Sequence, residues 1–187
     1  MKNSIEVINL SKSYKTKKAV HNINFKINEN EIVGLLGPNG CGKTTTIGMI
    51  LGLLKPTSGQ VLVNGKNIEN NKISILHKMN FISPYIELPK KLTVKQNLIV
   101  YGKLYNIQNL NEKINFLSEK LRLGDLLDKI TGELSSGQKN RVSLAKALIN
   151  DPTVLLLDEP TAALDPETAD FIRTFLEKYK KKKKISV

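Results

Sequence analysis

The sequence predicts an α/β fold: a strand-rich core with an N-terminal antiparallel β region, interrupted by an inserted α-helical subdomain. Three observations carry that prediction. The start of the chain alternates apolar and polar residues at the two-residue period of strands. A glycine-rich loop, Gly37 to Thr44, sits between an apolar run and a helical one. From about Thr93 to Lys129 the apolar residues fall at helical spacing, and strand signals return at Thr153. One domain is expected, with a core from residues 1–83 and 131–187 and a helical subdomain of about 84–130.

In chain order, Ser4 to Leu10 and roughly Val20 to Ile27 read as two strands separated by a lysine-rich turn. Glu31 to Leu36 is a short apolar run ending at Gly37, the pattern of a buried strand. A helix is expected from Thr44 to about Leu53. Pro56-Thr57-Ser58-Gly59 marks a turn, and Gln60 to Val63 with Asn64-Gly65 marks a hairpin. Asn80 to Ser83 is a further strand. In the insert, Leu92, Leu98, Leu104 and Leu110, then Ile114, Leu117, Leu121, Leu126 and Leu127, supply the apolar faces. Thr153 to Asp158 is the last strong strand signal. A final helix runs from Pro166 to Lys184, opening with Pro-Glu as helices often do.

Composition narrows the function classes. With 187 residues, 40% hydrophobic and 25% charged, the chain resembles one soluble globular domain. Its apolar runs are far shorter than the roughly 20 residues that cross a bilayer. The N-terminus lacks the apolar stretch of a secretory signal. A single cysteine, Cys41, allows no internal disulfide and suits a reducing compartment, so a cytoplasmic location is expected. The net charge of +12 invites a nucleic-acid partner. However, among the 29 basic residues only Arg122, Arg141 and Arg173 are arginines, and the lysines are dispersed apart from Lys180 to Lys184. No specific nucleic acid is expected.

The chemistry starts at Gly37-Pro38-Asn39-Gly40-Cys41-Gly42-Lys43-Thr44, which fits G-x-x-x-x-G-K-[ST] in full. Glycines let the backbone curl so that several N–H groups face a phosphate. The following helix adds the positive end of its dipole. Lys43 is expected on the β- and γ-phosphates of ATP, and the Thr44 hydroxyl on Mg²⁺; Thr45 adds to the nucleotide contacts. Val154 to Leu157 is an apolar strand ending in Asp158-Glu159. Asp158 at the strand end beside such a loop is placed to hold Mg²⁺. Glu159 is placed to polarise an attacking water as general base.

Leu134-Ser135-Ser136-Gly137-Gln138, followed by Arg141 and an apolar helix, decides the family. With the two motifs above, this pentapeptide resembles the signature of the ABC ATPases, and the resemblance runs from about Ile5 to the end of the chain. It implies an ABC-type P-loop NTPase core that hydrolyses ATP in a head-to-tail dimer with a second ATP-binding subunit, identical or different. Ser135, Gly137 and Gln138 would contact the γ-phosphate held by that partner. Tyr14 would stack on the adenine, and Asp165, in Ala162-Ala163-Leu164-Asp165, would communicate across the dimer. A separate transmembrane permease subunit would receive the motion at the insert, near Pro84 to Leu110. This puts the protein at the inner face of the membrane. Leu92 to Leu98 and Leu104-Tyr105 resemble the export branch.

Two departures temper that expectation. The family's glutamine at the start of the insert falls on Pro84, whose side chain has no donor or acceptor, leaving Ser83, Tyr85 or a water to serve. The chain also ends at Ile185-Ser186-Val187, where the family begins a further strand leading to a histidine; His21 and His77 lie far upstream. A partial domain that binds nucleotide weakly and turns it over slowly is therefore expected. The alternatives are a non-hydrolysing nucleotide-binding remnant and an ABC ATPase unconnected with transport.

Overall fold

A computed structural model describes residues 2–15, 17–83, 87–160, 164–183 and 185–187. Pro84, Tyr85, Ala162, Ala163 and Lys184 lie outside the described residues. The N-terminal region is a four-stranded antiparallel sheet in the order β2-β1-β3-β4, from β1 (Asn3–Tyr14), β2 (Lys17–Asn28), β3 (Ser58–Val63) and β4 (Lys66–Asn67). Both long strands outrun their apolar patterns, because they pair with each other along most of their length, and β1, an inner strand, pairs with β3 on its other edge.

Ile5 and Val7 point into the core, and so does Leu10, which breaks the two-residue alternation. The cause is a bulge: Asn9 has a φ of 49°, and the pairing register shifts between Val7 and Leu10. One extra residue returns the strand's apolar side to the core. The β3–β4 hairpin turns on Asn64 and Gly65, both at positive φ (50° and 76°), as a two-residue primed turn requires.

The second sheet pairs β5 (Met79–Ile82) with β6 (Val154–Leu157) in parallel, Ile82 opposite Leu157. Ser186 extends it as an isolated parallel bridge to Val154. The run from Glu31 to Leu36 corrects an expectation: it forms no strand and is not buried. Among the described residues its ladder partner is Val187, through Val33 N–H to Val187 O and Val187 N–H to Glu31 O, each 2.9 Å. A strand in a parallel sheet is buried only when neighbours and helices cover it. Two hydrogen bonds at one end leave the rest in solvent, and Leu36 is 92% exposed.

The helices are α1 (Lys43–Ile50), α2 (Lys72–Leu76), α3 (Val94–Leu104), α4 (Leu110–Lys120), α5 (Ser136–Ala147) and α6 (Pro166–Lys183). Helix α1 stops short of Leu53, at a turn where Gly52 takes a φ of 63°. Helix α3 starts with a full capping box, Thr93 and Gln96 each accepting the other's backbone N–H. Val94 and Leu98 are buried, whereas Leu104, from the same expected apolar face, is 69% exposed.

Two apolar clusters organise the packing. One joins the first sheet to Met49, Ile50 and Met79. The other gathers the insert (Leu98, Leu117, Leu121) with Leu144 of α5, Leu155 of β6 and Ile172 of α6. The insert therefore shares a core with the helices that follow it.

Polar ties reinforce that second cluster. Arg141 of α5 donates to the carbonyls of Leu121 and Arg122 at the end of α4, at 3.4 and 2.9 Å, satisfying acceptors the helix end leaves open. Lys113 of α4 pairs with Asp151 at 2.7 Å, and Tyr179 of α6 donates to the same carboxylate oxygen at 2.8 Å. Burial, then the Asp151 charge, holds the Tyr179 hydroxyl well above the usual phenol range.

A group whose folded pKa is raised contributes stability that is fully present below its unfolded value, about 10 for tyrosine, and is lost as pH rises from there. Tyr179→Phe is therefore expected to flatten the alkaline decline in Tm above about pH 10. Identical slopes for the two chains would contradict the tie. Comparing the two chains cancels the opposite contribution of Lys146, held below the usual lysine range by burial.

Candidate nucleotide-binding site

The phosphate loop is built by its own backbone. Gly42 caps α1 with a φ of 98°. A Cβ there would run into the carbonyl oxygen of Ala19, so glycine is required both for the turn and for the approach of β2. Cys41 N–H donates to Pro38 O at 3.3 Å, and Thr46 N–H to Gly42 O at 2.8 Å, closing the loop onto the helix. Lys43 Nζ donates to Gly37 O at 2.7 Å and Pro38 O at 3.0 Å, so its charge lies over the loop. Gly37, Pro38, Asn39, Gly40, Cys41 and Thr44 are exposed; Thr45 is half-buried. This loop offers an anion a lysine charge and a helix N-terminus together.

Cys41 is free and exposed within the loop, its Sγ 2.6 Å from where a Cβ of Gly37 would stand. Alkylation there is expected to block nucleotide binding. Retained ATP affinity after complete thiol modification, checked by mass spectrometry, would contradict the loop assignment.

Asp158 follows β6, its N–H donating to Ile82 O at 2.8 Å. Glu159 is exposed at a φ of 49°, a conformation an L-residue rarely holds without local support. Both carboxylates line a cavity of about 230 Å³, with Ser83, Ser136, Lys139 and Asn140 on its walls. Among the described residues no member of the phosphate loop lines that cavity.

The signature pentapeptide begins α5. Ser135 Oγ accepts from Gln138 N–H at 3.3 Å, and Ser135 N–H donates to Gln138 Oε1 at 3.0 Å, a complete capping box. Both side chains therefore serve the helix start. A Cβ on Gly137 would lie 3.8 Å from Asp165 Oδ2 and 3.4 Å from Thr168 Oγ1, so the signature and Asp165 are neighbours. Asp165 caps the start of α6, accepting from Thr168 N–H at 2.9 Å, and that bond holds its carboxyl below the usual range. Tyr14, 46% exposed at the end of β1, has Lys12 Nζ 5.2 Å from its ring centre.

One tie escaped sequence reasoning: Asn140 Nδ2 donates to Pro160 O at 2.8 Å, fastening α5 to the loop after Glu159. No pattern signals it, because it depends on how α5 packs across the end of β6.

Loop, strand-end carboxylates and capped helix together define a P-loop nucleotide-binding domain. The comparisons carry this to a family. The ABC transporter family model matches residues 20–162. The bacitracin transport ATP-binding protein BcrA of Bacillus licheniformis is 37% identical, aligned over 100% of this chain and 61% of its own length. The Nod factor export ATP-binding protein I of Burkholderia lata is 38% identical over 87% of this chain and 54% of its length. The probable multidrug ABC transporter ATP-binding protein YbhF of Escherichia coli is 40% identical over 88% of this chain and 29% of its length.

Among solved structures, cbiO1 of Clostridium perfringens, part of the ABC transporter complex cbiONQ, superposes with a TM-score of 0.87 at 30% identity, covering 100% of this chain and 77% of that one. The ATP-binding cassette MJ1267 superposes with a TM-score of 0.87 at 28% identity, covering 97% of this chain and 78% of its own. The chain belongs to the ABC transporter ATP-binding family. It spans 29–61% of the length of these curated relatives. No helix among the described residues is long and apolar enough to cross a membrane.

Proposed function

We propose that the chain is the ATP-binding, energy-coupling part of an ABC transporter, hydrolysing ATP to ADP and phosphate in a head-to-tail dimer. The observation that carries this is the phosphate loop closed onto α1, with Lys43 folded over it, in one chain with a capped signature helix and a strand ending in Asp158-Glu159. The oxygen-only set of the Thr44 hydroxyl and the Asp158 carboxylate suits Mg²⁺, which keeps most of its shell for water and phosphate. When bound, that ion neutralises charge on the β- and γ-phosphates. Lys43 and the loop amides hold the phosphates, Glu159 accepts a proton from the attacking water, and Tyr14 stacks on the adenine. Ser135, Gly137 and Gln138 complete the site of the partner ATPase, and Asp165 links the two.

Residues of about 84–130 act as a helical subdomain on a core of 1–83 and 131–187, and transmit closure to a transmembrane permease at the cytoplasmic membrane face. Val100 and Leu104, exposed on one side of α3, are the proposed contacts. The name of the Nod factor export relative supports export. Pro84, at the position of the family's glutamine and without a side-chain donor or acceptor, supports a second reading, nucleotide binding without turnover.

The two readings part in an ATPase assay. Glu159→Gln should retain ATP affinity while lowering hydrolysis about 10²–10⁴-fold, the usual worth of a general base. The unsubstituted chain should turn over more slowly than ~1 s⁻¹, an ordinary enzyme rate. Hydrolysis unaffected by Glu159→Gln would remove Glu159 from the mechanism.

A further inference from the structure

We propose that Ser83 is a positioning residue for Asp158, orienting its carboxylate toward the divalent cation that accompanies the nucleotide. The inference rests on the Mg²⁺-nucleotide function proposed above. Its physical basis is strand register. β5 and β6 run parallel with Ile82 opposite Leu157, and the bond from Asp158 N–H to Ile82 O carries the pairing one residue further. Ser83 and Asp158 therefore emerge side by side at the carboxyl ends of adjacent parallel strands, the edge where α/β sheets bind ligands.

Ser83 Oγ faces Asp158 Oδ2 at 3.5 Å, the outer limit of a hydrogen bond. It is the one side chain bonded to that carboxylate among the described residues. Ser83 is 7% exposed, following Ile82 of the apolar cluster. Both residues face the cavity that Glu159 also lines. A hydroxyl bonded to one carboxylate oxygen restricts rotation of the group and aims the other oxygen. Cation affinity then depends on Ser83 although Ser83 need not touch the ion, as partners of metal-binding carboxylates commonly act.

The test is a Mg²⁺ titration at fixed ATP, following nucleotide binding by competition with a fluorescent ATP analogue, beside a titration of ATP without metal. For Ser83→Ala the Mg²⁺ midpoint should rise about three- to tenfold, the worth of one modest hydrogen bond. Metal-free ATP affinity should stay unchanged, and Ser83→Thr, which keeps the hydroxyl, should restore the midpoint. Ser83→Cys keeps the volume with a weaker donor; it should shift the midpoint the same way and serves where the alanine chain folds poorly. A midpoint unmoved in Ser83→Ala or Ser83→Cys, or one shifted equally in Ser83→Thr, would overturn the proposal. If the unsubstituted chain bound ATP with no response to Mg²⁺, the Mg²⁺ assignment would fall first and the role of Ser83 with it.

Discussion

Reversing the charge at Lys43 is expected to weaken ATP binding about 100-fold or more. The estimate follows from the chemistry of charge-assisted hydrogen bonds, each stronger than a neutral one. In the structure Lys43 Nζ already sits on the loop, donating to the carbonyls of Gly37 and Pro38. A phosphate entering the loop meets that ammonium together with the amides at the start of α1. Lys43→Glu removes the donor and places a negative charge where phosphate charge must go, so repulsion adds to the loss. The side chain opens α1 at the surface, over an exposed loop, so the fold should survive; circular dichroism and Tm are expected to match the parent. Calorimetric titration reads the affinity, and an unchanged Kd would remove the phosphate loop from the account. Thr44→Ala should instead weaken binding chiefly when Mg²⁺ is present.

The second large effect concerns stability. Leu98 and Leu104 stand on one helix, α3, and both look like core positions in the sequence. Leu98 is fully buried, whereas Leu104 is 69% exposed. Leu98→Ala should cost about 2–5 kcal/mol, combining lost burial with the cavity left behind. At about 2–4 °C per kcal/mol for a chain of this size, its Tm should drop by roughly 4–20 °C. Leu104→Ala should stay within about 0.5 kcal/mol of the parent. Thermal unfolding of the two variants side by side decides which face of α3 packs. Equal losses would contradict the observed orientation. The contrast also bears on function, because an exposed leucine that stability does not need is available to a partner surface.

Much of the fold is legible because its signals are local. Asn64-Gly65 specifies a hairpin turn, the apolar spacing from about Thr93 a helical stretch, and Val154 to Leu157 a strand. The phosphate loop is equally local, its glycines and Lys43 within eight residues. What was not legible depends on partners distant in sequence. The run from Glu31 to Leu36 has the apolar content of a buried strand, yet it becomes one only when ladders form along both edges. Here Val187 supplies two bonds. Leu104 failed for a related reason: helical spacing marks a broad apolar stripe, and only packing against α4 and α5 decides which edge of it is covered. The bulge at Asn9 is set by the sheet rather than by Asn9, and so is the contact of Ser83 with Asp158, which exists because β5 and β6 share a register.

The most direct test follows backbone amides by ¹⁵N–¹H NMR as ATP and Mg²⁺ are added to the chain. The account predicts the largest shifts at Gly40 to Thr45, the curl and first turn of α1, where several N–H groups meet the triphosphate. Saturable binding that leaves those amides unmoved, with shifts gathered elsewhere, would contradict it.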